Sequence, residues 1–396
     1  MTTRRTLLLL AGSGLALAAT GCDEPASAAL TDVLLADTAT GLVRIDGGGA
    51  RPIGRSAALS HDGRHLYVSR DDGLDQVDPA TGAALRGFGH GGGWLPRAIS
   101  ADGRLCALAP TGPVPVPPAR AWSPILVSGP DGPRKLRLPG VVEPDAFTAD
   151  GSGLFVLEWL PATAPDHYRV RLLDLATGRL DPLNTRDKTP VPAGAEEEMR
   201  GEGRQAVLSA DRTMLFTLYT HQPGHAHTRD LVSGRPGNAH AFVHVLHLVD
   251  RWAYCLDLPH PFGESPAQAH AIAADTRHIA VADLGSGKLA YAGAASLTVE
   301  RVLDVPLSGA TDAALILTPA QTLIGGAGTV TVLDRETGGV VRDWPVPAPL
   351  RGLGLSRDGR RLHTGGAGEV VWFDSGTGTR LGRVPAPDLT ALRLVA

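Results

Sequence analysis

The sequence predicts an all-β ring of short four-stranded units, and three observations carry that prediction. A turn of the form Ser/Thr-x-Asp-Gly recurs as Ser60–Gly63, Ser100–Gly103, Thr148–Gly151 and Ser356–Gly359. Eroded copies stand at Ser209-Ala210-Asp211, Ala273-Ala274-Asp275 and Thr318-Pro319-Ala320. A second turn, Asp-x-x-Thr-Gly, recurs at Asp37–Gly41, Asp78–Gly82, Asp174–Gly178, Asp334–Gly338 and Asp374–Gly378. Between them lie short apolar runs with no helical period, which read as strands. A fixed period of about 40 residues means a solenoid or a propeller. Asp caps backbone N–H groups where a strand ends, and Gly supplies the positive φ of the reversal.

One unit is clearest at residues 55–87. Strand A is Arg55–Leu59, and strand B, His65–Ser69, follows the Asp62-Gly63 turn. Strand C runs from Gly73 to Val77, and after the Thr-Gly turn strand D begins at Ala84. Full units begin near residues 55, 97, 145, 204, 270, 312 and 351. At the amino end, 32–37 reads as a strand B, 41–46 as a strand C and 50–53 as a short strand D. The missing strand A is supplied by Leu389–Leu394 at the other end of the chain. The expected fold is therefore a β-propeller of eight four-stranded blades, closed by a C-terminal strand joining the N-terminal blade. Seven blades is the alternative. Closure protects edges that an open array would expose.

Strand C ends on an apolar-Asp pair in most units: Ile45-Asp46, Val77-Asp78, Leu173-Asp174, Val249-Asp250, Leu333-Asp334 and Phe373-Asp374. This pattern resembles the YVTN-type repeats of bacterial extracytoplasmic β-propellers, relatives of WD40 arrays, over nearly all of residues 30–396. The resemblance implies a fold but no particular function, because propellers host many unrelated activities.

Composition sets further bounds. Gly 49 and Pro 31 alongside 43% hydrophobic residues fit many short strands and tight turns better than disorder. A net charge of −4 with no basic run gives no reason to expect nucleic acid. Residues 1–22 read as a signal peptide: Arg4 and Arg5, an apolar stretch from Leu7 to Ala19, then Ala19-Thr20-Gly21 before Cys22. The apolar run is too short to span a bilayer. The segment resembles a bacterial lipoprotein signal with Cys22 as the lipidated residue, and Thr3–Leu7 also looks like a twin-arginine signal. Residues 23–30 would be a tether and 31–396 a single propeller domain. The expected location is the outer face of the bacterial cytoplasmic membrane, anchored through Cys22. Cys106 and Cys255, in apolar strands of well-separated blades, are expected to be buried free thiols.

Loop lengths point to a working face. The A–B and C–D turns stay short, whereas insertions fall at Thr111–Trp122, Pro161–Asp166, Asp187–Gly203, His221–Asn238 and Pro259–Gln268. All of these are B–C or D–A connections, which emerge on one face, and long loops on a rigid scaffold are the usual place for binding. The same face receives the starts of the A strands around the central channel. These carry Arg55, Arg97, Asp145, Arg204, His270, Asp312 and Arg351, candidates for an anionic ligand or paired charges at the channel mouth.

Nine of the fourteen histidines lie between His221 and His278. His221, His225 and His227 have spacing compatible with zinc or copper, although no cysteine or carboxylate joins them locally. His244 and His247 fall on opposite sides of one strand and read as packed histidines. Glu196-Glu197-Glu198 reads as a solvated acidic bump, and Trp94 and Trp122 as rim contacts or plugs. No Gly-x-Ser-x-Gly, His-Glu-x-x-His or Cys-x-x-Cys motif is present. The leading expectation is a monomeric, membrane-anchored scaffold binding a protein or small ligand at the long-loop face, without a cofactor. A lactonase-like or quinoprotein-like enzyme at the channel mouth is the alternative, and a metal-binding propeller the second.

Overall fold

The computed structural model describes residues 28–200, 204–237 and 239–396. The expected signal peptide, Cys22 and most of the expected tether lie outside the described residues. Thirty-two strands form eight four-stranded antiparallel sheets, arranged as the blades of a β-propeller. The first blade combines Leu34–Thr38, Gly41–Asp46 and Gly49–Gly54 with Leu389–Val395 from the far end of the chain. Leu34 pairs with Val395 and Thr38 with Leu389, so the last strand completes the first blade in antiparallel register. The ring has eight blades.

Seven further blades follow in chain order, each contributed by one continuous stretch: 57–89, 95–139, 141–181, 205–257, 270–304, 314–345 and 353–385. The A strands of neighbouring blades stand side by side around the central axis. Their half-burial, as in Gln205–Leu208 and Ala314–Leu317, reflects a face turned to the channel. Strands B and C are sandwiched between adjacent blades, which explains continuously buried runs such as Leu66-Tyr67-Val68 and Val330 to Leu333. D strands form the rim and are largely exposed, as at Ala84–Gly89.

The core is accordingly divided among blade junctions. Leu34 and Ile45 of the first blade meet Val370 and Trp372 of the eighth in one apolar cluster. Polar stitches reinforce the seams: the Tyr67 hydroxyl donates to Gly103 O at 2.6 Å, and the Tyr291 and Thr322 hydroxyls meet at 2.7 Å. Cys106 and Cys255 are both buried and free.

The turn signature has one chemistry. In five copies a Ser or Thr hydroxyl donates to the turn aspartate at 2.6 Å: Ser60 to Asp62, Ser100 to Asp102, Thr148 to Asp150, Ser209 to Asp211 and Ser356 to Asp358. The eroded copy keeps the bond and holds Arg212 at φ 60°, where intact copies have Gly. The second turn works through its Thr: the Thr177, Thr337 and Thr377 hydroxyls donate to Asp174, Asp334 and Asp374, each at 2.9 Å. The Asp37–Gly41 copy differs. It joins a strand B to a strand C, so it sits on the opposite face, and Asp37 pairs with Arg393 of the closing strand at 2.5 Å.

These capped aspartates make stability acid-sensitive. Hydrogen bonds from the Thr148 hydroxyl and Ser152 lower Asp150 to about 2, and equivalent donors lower Asp211, Asp358, Asp174, Asp334 and Asp374. A carboxyl lowered on folding contributes its stability above the unfolded pKa, and that contribution is lost as pH falls through the folded value. The melting temperature should be flat above about pH 5 and fall steadily from about pH 4 to pH 2. A melt at pH 2.5 matching that at pH 6 would contradict this.

Candidate metal centre

The two longest insertions flank the A and B strands of the fifth blade, which brings them together on the long-loop face. One, residues 182–204, enters from the fourth blade; the other, 220–241, leaves strand B of the fifth. Both are fastened to the scaffold. Met199 and Tyr168 exchange backbone hydrogen bonds at 2.7 and 2.8 Å, tying the first insertion to a central strand of the fourth blade. The buried Gln222 side chain joins the insertions: its Oε1 accepts from Arg200 N, and its Nε2 donates to the carbonyls of Arg200 and Thr220. Glu196 is held by Arg169 at 2.7 Å and Arg171 at 3.3 Å.

Within this clasp Glu197, His225, His227 and Cys255 converge, each offering a donor atom, with all four donors within 4.8 Å of one another. Cys255 comes from the fifth blade's strand D, Ala253–Asp257. Glu197 Oε2 lies 3.4 Å from His225 Nε2, 3.4 Å from His227 Nδ1 and 2.8 Å from Cys255 Sγ. Tetrahedral coordination with bonds of about 2.0–2.3 Å has donor–donor edges of roughly 3.3–3.7 Å. Both Glu197–histidine separations match such an edge. The shorter sulfur contact is a thiol donating to the carboxylate.

The atoms pointing away from the centre are equally ordered. His225 Nδ1 meets Glu198 O at 3.1 Å, so Nε2 is the ring nitrogen that faces the centre. His227 Nε2 is bonded to Asp257, itself paired with Arg229, so Nδ1 faces the centre. Glu197 Oε1 accepts from Thr228 N–H at 2.8 Å. The His225 ring stacks on Phe242 with centroids 4.4 Å apart, and the His227 ring packs edge-on at 5.3 Å. Outer partners of this kind fix tautomer and ring orientation at metal sites.

Electrostatics concentrates charge at this point. Burial disfavours the Glu197 carboxylate, but hydrogen bonds from His225, His227 and Cys255 outweigh it and hold its pKa well below the usual value. Burial also opposes charge on His227, yet its bonds to Asp257 and Glu197 raise it to about 9. Burial and the Glu197 charge push the Cys255 thiol well above its ordinary value. A metal binding here would displace the protons that these shifts favour on His227 and Cys255. Thiolate and imidazole donors suit zinc or copper and exclude calcium and magnesium, which demand oxygen ligands.

This geometry corrects the sequence expectation in three respects. His221 is not part of the cluster: it takes a positive φ of 56°, its Nδ1 meets the Thr220 hydroxyl, and its ring lies 6.5 Å from that of His270. The triplet 196–198 is no solvated bump, since Glu196 is ion-paired and Glu197 sits at the centre. The histidines are joined by a cysteine that the sequence did not place beside them, Cys255, buried and free as expected. The missed carboxylate and thiol are distant in sequence, and adjacency of the two long insertions was the signal that could have joined them.

The channel-mouth candidates have structural partners. Arg97 pairs with Glu143 and donates to Thr111 O at 3.0 Å, and Arg204 pairs with Asp145. His270 is fully buried, with Nδ1–H donating to Pro266 O and Nε2 accepting from Gly263 N–H. Asp312 accepts from Ala327 N at 2.9 Å and Leu350 N at 2.6 Å. Arg55 and Arg351 are exposed, and neither side chain pairs with a carboxylate among the described residues. His247 stacks on Trp252, while His244 is buried, and burial lowers it to about 4. Trp122 is exposed beneath the Arg137 guanidinium, and Trp94 packs against a seam.

No protein-family model matches the chain, and no curated protein matches it. Among solved structures it is similar to dihydro-heme d1 dehydrogenase NirN in complex with DHE. That match has a TM-score of 0.52 and 13% identity, over 93% of this chain and 75% of the other. It is also similar to apo AztD from Citrobacter koseri, with a TM-score of 0.53 and 9% identity over 91% and 96% of the two chains. At such identities the likeness establishes the fold: this chain is a β-propeller.

Proposed function

We propose that this propeller is a transition-metal-binding protein, holding zinc or copper through Glu197, His225, His227 and Cys255. The observation that carries the reading is convergence of four donor atoms from three separate segments, all within 4.8 Å. Their outward-facing atoms are already bonded to Glu198, Asp257 and Thr228. This narrows the expected scaffold role to one junction of the long-loop face. The channel-mouth enzyme reading is less favoured, because five of its seven candidates hold blades or loops together.

Zinc titration of reduced, chelator-treated protein tests it. About one equivalent should bind, and Cys255→Ser or His225→Ala should weaken affinity by on the order of 100-fold or more. Asp257→Asn, which removes only an outer partner, should cost roughly 10-fold, and His221→Ala should change nothing. Uptake below about 0.2 equivalents of both zinc and copper would end the proposal. So would uptake that is unaffected by the Cys255 and His225 substitutions.

A further inference from the structure

Three of the four donor residues, Glu197, His227 and Cys255, also form part of the wall of an open cavity of about 680 Å³ between the fourth and fifth blades. That volume lies within the range of roughly 300–1,000 Å³ typical of small-molecule sites. Four protein ligands fill a tetrahedral zinc site, so a further molecule reaches the metal only by expansion to five ligands or by displacing one donor. Here the centre borders space large enough for a molecule.

The walls indicate what kind of molecule. Val170, Leu183 and Val191 supply an apolar surface, and Tyr254 adds an aromatic one. Two guanidinium groups, Arg186 and Arg229, and two further carboxylates, Asp187 and Glu196, also line it, Glu196 being paired with Arg169 and Arg171. Arg229 is committed to Asp257. Arg186 lies over the Tyr254 ring at 5.4 Å and reaches Ala295 O at 3.4 Å, with no carboxylate partner among the described residues. Glu197 and a Cys255 thiolate would together neutralise a bound dication, so the centre would not repel a further anion. Arg186 would attract one. Zinc sites sometimes expand from four to five ligands.

Resting on the metal reading above, we propose that this cavity binds a small organic carboxylate. Its head group joins the metal on the Arg186 side and its apolar body lies along Val170, Leu183 and Val191.

Cobalt(II) as the metal and phenylacetate as the probe test this with an optical readout. Four-coordinate cobalt gives intense visible bands that weaken on conversion to five-coordinate. Phenylacetate should weaken them in a saturable titration. Val191→Trp, which puts an indole where the apolar body would lie, should sharply weaken the response while leaving the starting spectrum intact. Arg186→Gln should weaken the probe by on the order of 10-fold without altering cobalt affinity. A full cobalt spectrum indifferent to phenylacetate would overturn the proposal and leave the metal site standing. A response unchanged in both variants would also overturn it, by placing the probe elsewhere. Absence of any cobalt spectrum would instead remove the metal reading.

Discussion

Deleting residues 389–396 should lower the melting temperature by about 10 °C or more and drive the protein into higher-order species. The segment supplies the innermost strand of the first blade, pairing along Leu34–Thr38. Leu389, Leu392 and Val395 pack into the seam with the eighth blade, and Leu394 into the seam with the second. Losing that burial removes roughly 1.5–3 kcal/mol for each fully buried side chain, somewhat less for those only half buried. The deletion also uncovers Leu34, Leu35 and Ala36, now fully buried, as an unpaired edge. Such an edge recruits strands from other chains. Calorimetry and light scattering report the two effects separately. A truncated chain with an unchanged melt and a monomer mass would refute closure by this strand.

Glu143→Gln should cost about 3–5 kcal/mol, the second large effect. Glu143 is 4% exposed and sits on the fourth blade's innermost strand, Val141–Phe147. It receives two guanidinium groups, Arg97 from the third blade's first strand and Arg120 from that blade's insertion. The amide keeps the shape and removes the charge, leaving two arginines packed at a seam without their counterion. Removing one member of a buried charged group is costly, whereas replacing the group with apolar side chains is often neutral. Glu143→Leu combined with Arg97→Met should therefore be more stable than Glu143→Gln, read from urea midpoints. A Glu143→Gln midpoint equal to wild type would show that the triad contributes nothing.

The fold was legible in the chain because its information is local. Ser60 and Asp62, or Asp174 and Thr177, are two or three residues apart, and their hydrogen bonds repeat wherever the pattern does. Strand C of the second blade, Gly73–Val77, fell where its turns placed it. Even the closing strand could be read, since an incomplete first unit demanded a partner. The candidate metal centre is non-local. Glu197 lies 58 residues from Cys255, and neither carries a spacing that advertises the other. Two histidines of the expected triad are in place, but the third, His221, turns away at a left-handed residue. Arg97 and Arg204 looked available because a sequence does not show that Glu143 and Asp145 await them across a blade junction. Asp37–Gly41 shows the converse risk, a turn motif whose letters match on the opposite face.

The described chain comes in at the outer edge of the eighth blade. There Ala28 N–H donates to Leu381 O at 2.8 Å, and Asp32 is gripped by Arg361 and His363. The candidate metal centre lies at the junction of the fourth and fifth blades. In a ring of eight equal blades, those two places are half a turn apart. A partner bound through the amino-terminal segment would therefore meet one pole of the disc, with the candidate metal centre at the antipode.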